Sequence, residues 1–144
     1  MTSKIWHGSR WPEGVGHEIS GFEKPLYSIL DDAAGNYPDA TYTIFADVAH
    51  TFRKVKDTAD RIANFLTTRG IGKGDRVAIF LPNLPHFPEV FFGILKAGAT
   101  CVTCNPLYKT PELNYQLKDC GAKALFVMDH PVFYPTAVAA LEGA

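Results

Sequence analysis

What this chain has little of narrows its function before any motif is read. Lysine and arginine together number 14 against 15 aspartates and glutamates, for a formal net charge of -1. Nucleic acids and anionic membranes are bound through clustered basic residues, so a basic-patch function is excluded and no nucleic-acid partner is expected. No apolar run approaches the roughly 18 residues that cross a bilayer, and the opening MTSKIWHGSRWPEGVGHEIS has no apolar leader core. A cytoplasmic protein is expected. Cysteine is limited to Cys101, Cys104 and Cys120, an odd number without a spaced framework, which predicts reduced thiols and no disulfide scaffold.

Catalytic signatures are missing as well. The four serines, Ser3, Ser9, Ser20 and Ser28, all precede the first predicted strand, and none lies in a G-x-S-x-G elbow. Neither GxGxxG nor GxxxxGK[ST] occurs. The glycine-rich GIGKGD at 70–75 follows a predicted helix and opens a strand. Phosphate loops run the other way, aiming helix N-terminal N–H groups at the anion, so this segment reads as a helix stop and turn. Cys101 and Cys104 form a C-x-x-C on a predicted strand, where residues three apart point to opposite faces, and no second pair completes a zinc site. They read as small core residues. His86 and Glu89 lack an H-E-x-x-H frame and read as solvated residues at a helix entry. No catalytic residue and no metal ligand is therefore assigned.

What is present is 47% hydrophobic residues over 144 positions, enough for one globular unit that buries about two-thirds of its unfolded surface. Residues 1–24 show no helical or strand period and read as an irregular arm, with Trp6, Trp11 and Ile19 as anchors. From Pro25, Leu26, Ile29, Leu30 and Ala33 mark one face of a short helix that Gly35, Asn36 and Pro38 stop. TYTIFA at 41–46 reads as a strand returning through Asp47 as an antiparallel His50–Phe52. Val55, Ala59, Ile62, Ala63 and Leu66 form the apolar stripe of the clearest helix, which Gly70 ends.

RVAIFL at 76–81 is a near-continuous apolar run, as in a strand buried on both faces of a parallel sheet. Two further units follow: a helix over 88–97 and strand over 99–103, then a helix over 111–119 and strand over 123–128. Pro88 belongs in a first turn, Glu89 and Lys96 suit the two ends of the helix dipole, and Thr110 reads as a cap before Pro111. The expectation is an α/β fold: a mainly parallel sheet of three or more strands with right-handed helical crossovers, preceded by a short helix and a β-hairpin. Ligands of open α/β sheets bind beyond the carboxyl ends of the strands, here Pro82-Asn83 and Asn105-Pro106.

The stretch LKAGATCVTCNPLYKTPELNYQLKDCGAKA, Leu95 to Ala124, closely resembles the long-chain fatty acyl-CoA ligases of the adenylate-forming superfamily. TFRKVKDTADRIANFL at 51–66, GIGKGDRVAIFLPN at 70–83 and WPEGV at 11–15 carry the likeness over nearly the whole chain. Cys120 stands where related ligases usually have serine. The resemblance implies ATP-dependent joining of a long- or medium-chain fatty acid to CoA through an acyl-adenylate, with Mg as the ATP counter-ion. It implies that residues 25–144 are part of a larger N-terminal α/β domain whose partner is the remainder of the same polypeptide, the phosphate loop and the adenylation lysine lying beyond residue 144. Residues 1–144 alone are accordingly expected to be structural and inactive, and a homodimer or peripheral membrane association of the whole enzyme is left open. An aryl-CoA ligase, a carrier-protein-loading adenylation domain and a stand-alone α/β binding module are the alternatives. Asn83, Asn105 and Tyr108 are the candidate substrate-binding residues, from strand-end position and family motif.

Overall fold

The computed structural model describes residues 12, 14 and 23–143. The expected arm over 1–24, with Trp6, Trp11 and Ile19, falls almost entirely outside the described residues.

Strand β3, Arg76–Phe80, is the axis of the fold. It lies between two parallel neighbours, β4 (Thr100–Thr103) and β5 (Ala124–Val127), in the order β4-β3-β5. Because strand side chains alternate, Val77 and Ile79 enter one core and Ala78 and Phe80 the other. The first core holds Leu66 of helix α2 (Phe52–Thr68) with Val90 and Ile94 of α3 (His86–Lys96). The second holds Leu113 and Leu117 of α4 (Thr110–Cys120) with Ala137 and Ala140 of α5 (Phe133–Glu142). The chain steps from β3 to β4 over one face and returns past β3 to β5 over the opposite face. Reversing both direction and face keeps one hand, which for parallel strands is the right hand.

Each of the helices α2, α3 and α4 enters its strand through one device. Gly70, with φ +74°, follows α2, and the N–H groups of Gly70 and Ile71 donate to the carbonyls of Thr67 and Leu66, both at 3.0 Å. This is the Schellman arrangement, whose left-handed position favours glycine. The same pair of bonds closes α3 at Gly98 and α4 at Gly121. In the GIGKGD turn, the Asp75 carboxylate accepts from Gly72 N–H at 2.9 Å and pairs with Lys123 at 2.5 Å, while its carbonyl accepts from Thr100 N–H. These contacts join the entrances to all three strands, and the structural reading of this turn holds.

Before the sheet, α1 (Ser28–Asn36) and the hairpin β1 (Thr41–Phe45) and β2 (Val48–Thr51) pack against α2 and α3. Four expectations are corrected here. The buried pair of α1 is Leu30 and Ala34, not a face through Leu26 and Ile29, which are exposed. The hairpin returns one pair earlier: Phe45 opposes Val48 across Ala46 and Asp47, both at positive φ, as a type I′ turn requires. Phe52 is thereby released from the strand to open α2, where the Thr51 side chain accepts from Lys54 N–H. Thr110 is the first residue of α4 and not its cap; the Glu112 carboxylate reaches back to Lys109 N–H at 3.0 Å instead. The fourth is α5, absent from the sequence reading, which stopped at Met128.

Two contacts fix α3 on its neighbours. At Gly93 the helices α2 and α3 meet so closely that a Cβ would lie 2.6 Å from Ile62 Cγ2 and 3.0 Å from the Ala59 carbonyl. At the end of α3, the ammonium of Lys96, whose side chain is only 9% exposed, reaches Asp31 of α1 at 2.5 Å and Asp60 of α2, and Asp60 also accepts from Lys56. Burial disfavours ionisation of Asp60, but the hydrogen bonds from Lys56 and Lys96 outweigh it and hold its carboxyl below the usual range. Its share of stability is therefore present at neutral pH and lost as acid titrates the folded-state carboxylate.

Gly93→Ala should destabilise the fold by about 1–3 kcal/mol, because overpacking against Ile62 outweighs the helix propensity gained. Gly35→Ala, where a Cβ meets nothing within 4 Å, should gain up to about 1 kcal/mol; urea midpoints that move together for both variants would contradict this packing. Lys96→Ala, which leaves Asp31 without its lysine and Asp60 with Lys56 alone, should cost about 1–3 kcal/mol in the same titration, both carboxylates being partly solvated.

Candidate functional site

The carboxyl ends of the three parallel strands open onto one end of the sheet. β3 leaves through Leu81, Pro82 and Asn83, and Leu84 N–H donates to the Pro82 carbonyl at 2.8 Å before α3 begins. Asn83 is exposed and borders a shallow cleft of about 250 Å³ between this loop and Ile44 and Phe45 of the hairpin. β4 leaves through Cys104, whose N–H donates to Ile79 at 2.8 Å, into a turn built by Asn105. The Asn105 side-chain oxygen accepts from Leu107 N–H at 2.9 Å and its main-chain carbonyl from Tyr108 N–H at 3.0 Å. Asparagine suits this place because its side chain mimics a turn carbonyl.

Tyr108 is half-buried against the second core and lines a groove of about 410 Å³ with Tyr115 and Gln116. Asn105 and Tyr108 thus share one turn, while Asn83 lies on a separate depression. A third cleft, about 270 Å³, opens between the ends of β3 and β5; Leu81, Val90 and Phe126 make its apolar wall, with His86 and Asp129 beside them. The sequence reading reached the ends of β3 and β4 and missed this one, because recognising it requires β5 to be the neighbour of β3.

Gln116 was also missed as an individual site residue. Its amide nitrogen donates to the Thr103 carbonyl at 3.2 Å, and its amide oxygen is buried without a partner among the described residues. Nothing in its spacing separates it from the core-facing Leu113 and Leu117 except polarity.

The expectation for Glu89 is overturned. His86 is exposed, as read, but Glu89 is 5% exposed, turned inward beneath the hairpin with its carboxylate 3.9 Å from His50 Nδ1. That separation exceeds hydrogen-bond reach, and Nδ1 has no partner among the described residues. Burial raises the Glu89 pKa above the ordinary value; the charges of His86, His50 and Lys54 oppose this only in part. A helix reading places Glu89 in a first turn, but only the hairpin laid over α3 takes it from water.

Cys101 packs with the first core and Cys104 in the second, on opposite faces of the sheet, as strand alternation requires. Burial, with a smaller repulsion from a neighbouring thiol, pushes both pKa values up to about 11. At neutral pH they are thiols and poor nucleophiles.

Nucleotide and Mg do not fit what these residues offer. The strand-to-helix loops here enter α3 through Pro85 and α4 through Lys109 with no glycine-rich cradle. Among the described residues no three His, Cys, Asp or Glu side chains converge on a metal position. The described residues can shape a pocket wall.

Comparison with known proteins supplies the context. The family model described as AMP-binding enzyme matches residues 30–143. The chain is 38% identical over 138 residues to a long-chain-fatty-acid–CoA ligase of Bacillus subtilis, covering 96% of this chain and 24% of that ligase. Among solved structures, a Mycobacterium tuberculosis fatty acyl CoA synthetase superposes with a TM-score of 0.64 at 35% identity, over 69% of this chain and 20% of its own. A benzoate CoA ligase from Burkholderia xenovorans superposes at 0.75 over 82% of this chain and 24% of its own, but at 24% identity that likeness is one of fold. The chain spans about a quarter of the length of the curated relatives it matches.

Glu89→Gln should raise stability at neutral pH. A carboxyl whose folded pKa is raised opposes folding once ionised, so its contribution is full below the ordinary glutamate range and lost as pH rises through the folded pKa. The difference between variant and parent should close towards pH 4; thermal melts showing an equal or larger gain there would refute a desolvated carboxylate.

Proposed function

The chain belongs to the AMP-binding enzyme family, and on that premise we propose that it is the N-terminal part of an ATP-dependent fatty acyl-CoA ligase. The observation that carries this reading is the 38% identity to a long-chain-fatty-acid–CoA ligase across 96% of the chain. In the proposed reaction a fatty carboxylate attacks the α-phosphorus of ATP, giving acyl-adenylate and pyrophosphate. The CoA thiolate then displaces AMP, leaving acyl-CoA.

Residues 1–144 serve this chemistry as scaffold. Adenylation places developing negative charge on phosphate oxygens and needs preorganised donors and a cation. The described residues offer hydrophobic cores and loops, so ATP, Mg, CoA and fatty acid are bound mainly by the remainder of the polypeptide. The likeness to the benzoate ligase is compatible with an aryl substrate but, resting on fold, gives it no advantage. The unpaired state of Cys101, Cys104 and Cys120 supports a reducing, cytoplasmic setting for the same enzyme. Asn83, Asn105 and Tyr108 are proposed to shape the ligand-facing loops beyond the strand ends. That position favours them, while the Asn105 side-chain oxygen is already committed to its turn.

Full-length enzyme should release pyrophosphate only with fatty acid and ATP and form thioester only with CoA, whereas purified residues 1–144 should do neither. In the full enzyme, Asn83→Ala, Asn105→Ala and Tyr108→Phe should each raise one substrate KM about two- to tenfold, the value of one neutral hydrogen bond. Unchanged KM values in all three variants would remove these residues from the site.

A further inference from the structure

We infer that His50 and Glu89 form a proton-operated latch between the hairpin and helix α3: the pair holds one titrating proton that seats the hairpin, and losing it lets the hairpin lift. The inference concerns how β1 and β2 sit on α3 and stands apart from the ligase reading.

Burial makes the pair sensitive to a single proton. The two side chains are 15% and 6% exposed, and His50 Nδ1 stands 3.9 Å from the Glu89 carboxylate. Nδ1 is buried with no partner among the described residues. A hydrogen bond spans about 2.8 Å, so an approach of roughly 1 Å completes one. When the pair holds the titrating proton it is neutral overall, whether the imidazole N–H donates to the carboxylate or the carboxyl O–H donates to the imidazole. Without that proton a net negative charge stays beneath the hairpin, and only lifting the hairpin returns water to it.

The surroundings do not cancel that charge. The cationic groups that face the carboxylate are His86 in the first turn of α3, His50 from β2 and Lys54 from α2. His86 and Lys54 are exposed, so solvent screens them. From β1, uncharged Thr43 lies opposite His50, and Tyr42 packs in the adjoining core, where burial raises its pKa and keeps the phenol neutral.

The hairpin can move without opening a core. β1 and β2 form a sheet of their own, separate from β4-β3-β5. A two-stranded ribbon is marginal by itself, so its order depends on its seat. Ile44, Phe45, Val48 and Ala49, at the far end of the ribbon, are exposed. The turn holds Ala46 and Asp47 in the left-handed region, which residues with a Cβ adopt at a cost. Ile44 and Phe45 also form one wall of the cleft beside Asn83, with Leu84 and Phe87 opposite. The latch therefore sets the width of that cleft.

The test is hydrogen–deuterium exchange on the full polypeptide from about pH 5 to about pH 9, a span above the ordinary glutamate range, corrected for the intrinsic pH dependence of exchange and referred to the amides of α2. The seated state binds the proton more tightly than the lifted state, so its advantage is full below the ordinary glutamate pKa and is lost as pH rises through the seated-state pKa. Protection of the β1 and β2 amides should accordingly fall about tenfold per pH unit up to that midpoint and then level off. In selectively labelled protein the His50 imidazole nitrogens and the Glu89 carboxyl carbon should report one common midpoint. Glu89→Gln, neutral at every pH, should keep the hairpin protected with no pH response. Hairpin protection that stays level in the unaltered protein, or a pH response that persists in Glu89→Gln, would overturn the latch. Separate midpoints for His50 and Glu89 would also overturn it, and that measurement needs no variant.

Discussion

The double burial of β3 is the constraint on which the rest of this structure depends. Val77, Ala78, Ile79 and Phe80 are all essentially removed from water, alternating between two cores. At about 25 cal/mol per Å² of apolar surface, such a strand is stable only if helices cover both faces. One hand of crossover then places α3 on one side and α4 on the other. The carboxyl end of the sheet, and the loops through Asn83, Asn105 and Tyr108, take their positions from that arrangement.

Polar contacts arrange the layers around this axis. Asp75 gathers the entrances of β3, β4 and β5 through Gly72, Thr100 and Lys123. Lys96 ties the end of α3 to α1 and α2, with ammonium and carboxylates offsetting the loss of hydration that isolated charges would suffer. Glu89 is the contrasting case. Its carboxylate is buried with no hydrogen-bonded cation, and the fold carries that desolvation cost beneath the hairpin. The two acids differ because Asp60 has lysines within hydrogen-bond reach, whereas the ion-pair partner of Glu89 among the described residues, His50, stands 3.9 Å away.

The elements whose burial follows a local period were legible in advance. The stripe of α2, the glycine that closes it, the apolar run of β3, and the opposite facing of Cys101 and Cys104 all express geometry internal to a few residues. Misreadings occurred where a neighbour decided. Phe52 has strand propensity, but the two-residue turn at Ala46-Asp47 ended the hairpin before it. Thr110 has a capping side chain, but Glu112 satisfied the entrance of α4 instead. α5 had a proline suited to a first turn, Pro135, with Ala137, Ala140 and Leu141 at helical spacing, yet its small residues carry a weak apolar signal. Ala137 and Ala140 are buried because they pack with Phe80, Leu113 and Leu117, and the Asn114 amide donates to the Ala140 carbonyl.

Periodicity, turn residues and ordered motifs were sufficient in the sequence for the α/β class, the parallel pattern and the family, since each depends on spacing along the chain. Tertiary structure alone decided that β5 lies beside β3, that Asn105 and Tyr108 share a turn while Asn83 borders another cleft, that Glu89 is buried, and that Gly93 must stay small against Ile62. These facts depend on approaches between residues distant in sequence. Side chains that are locally interchangeable acquire different solvation and different neighbours only when the helices and sheet close over them.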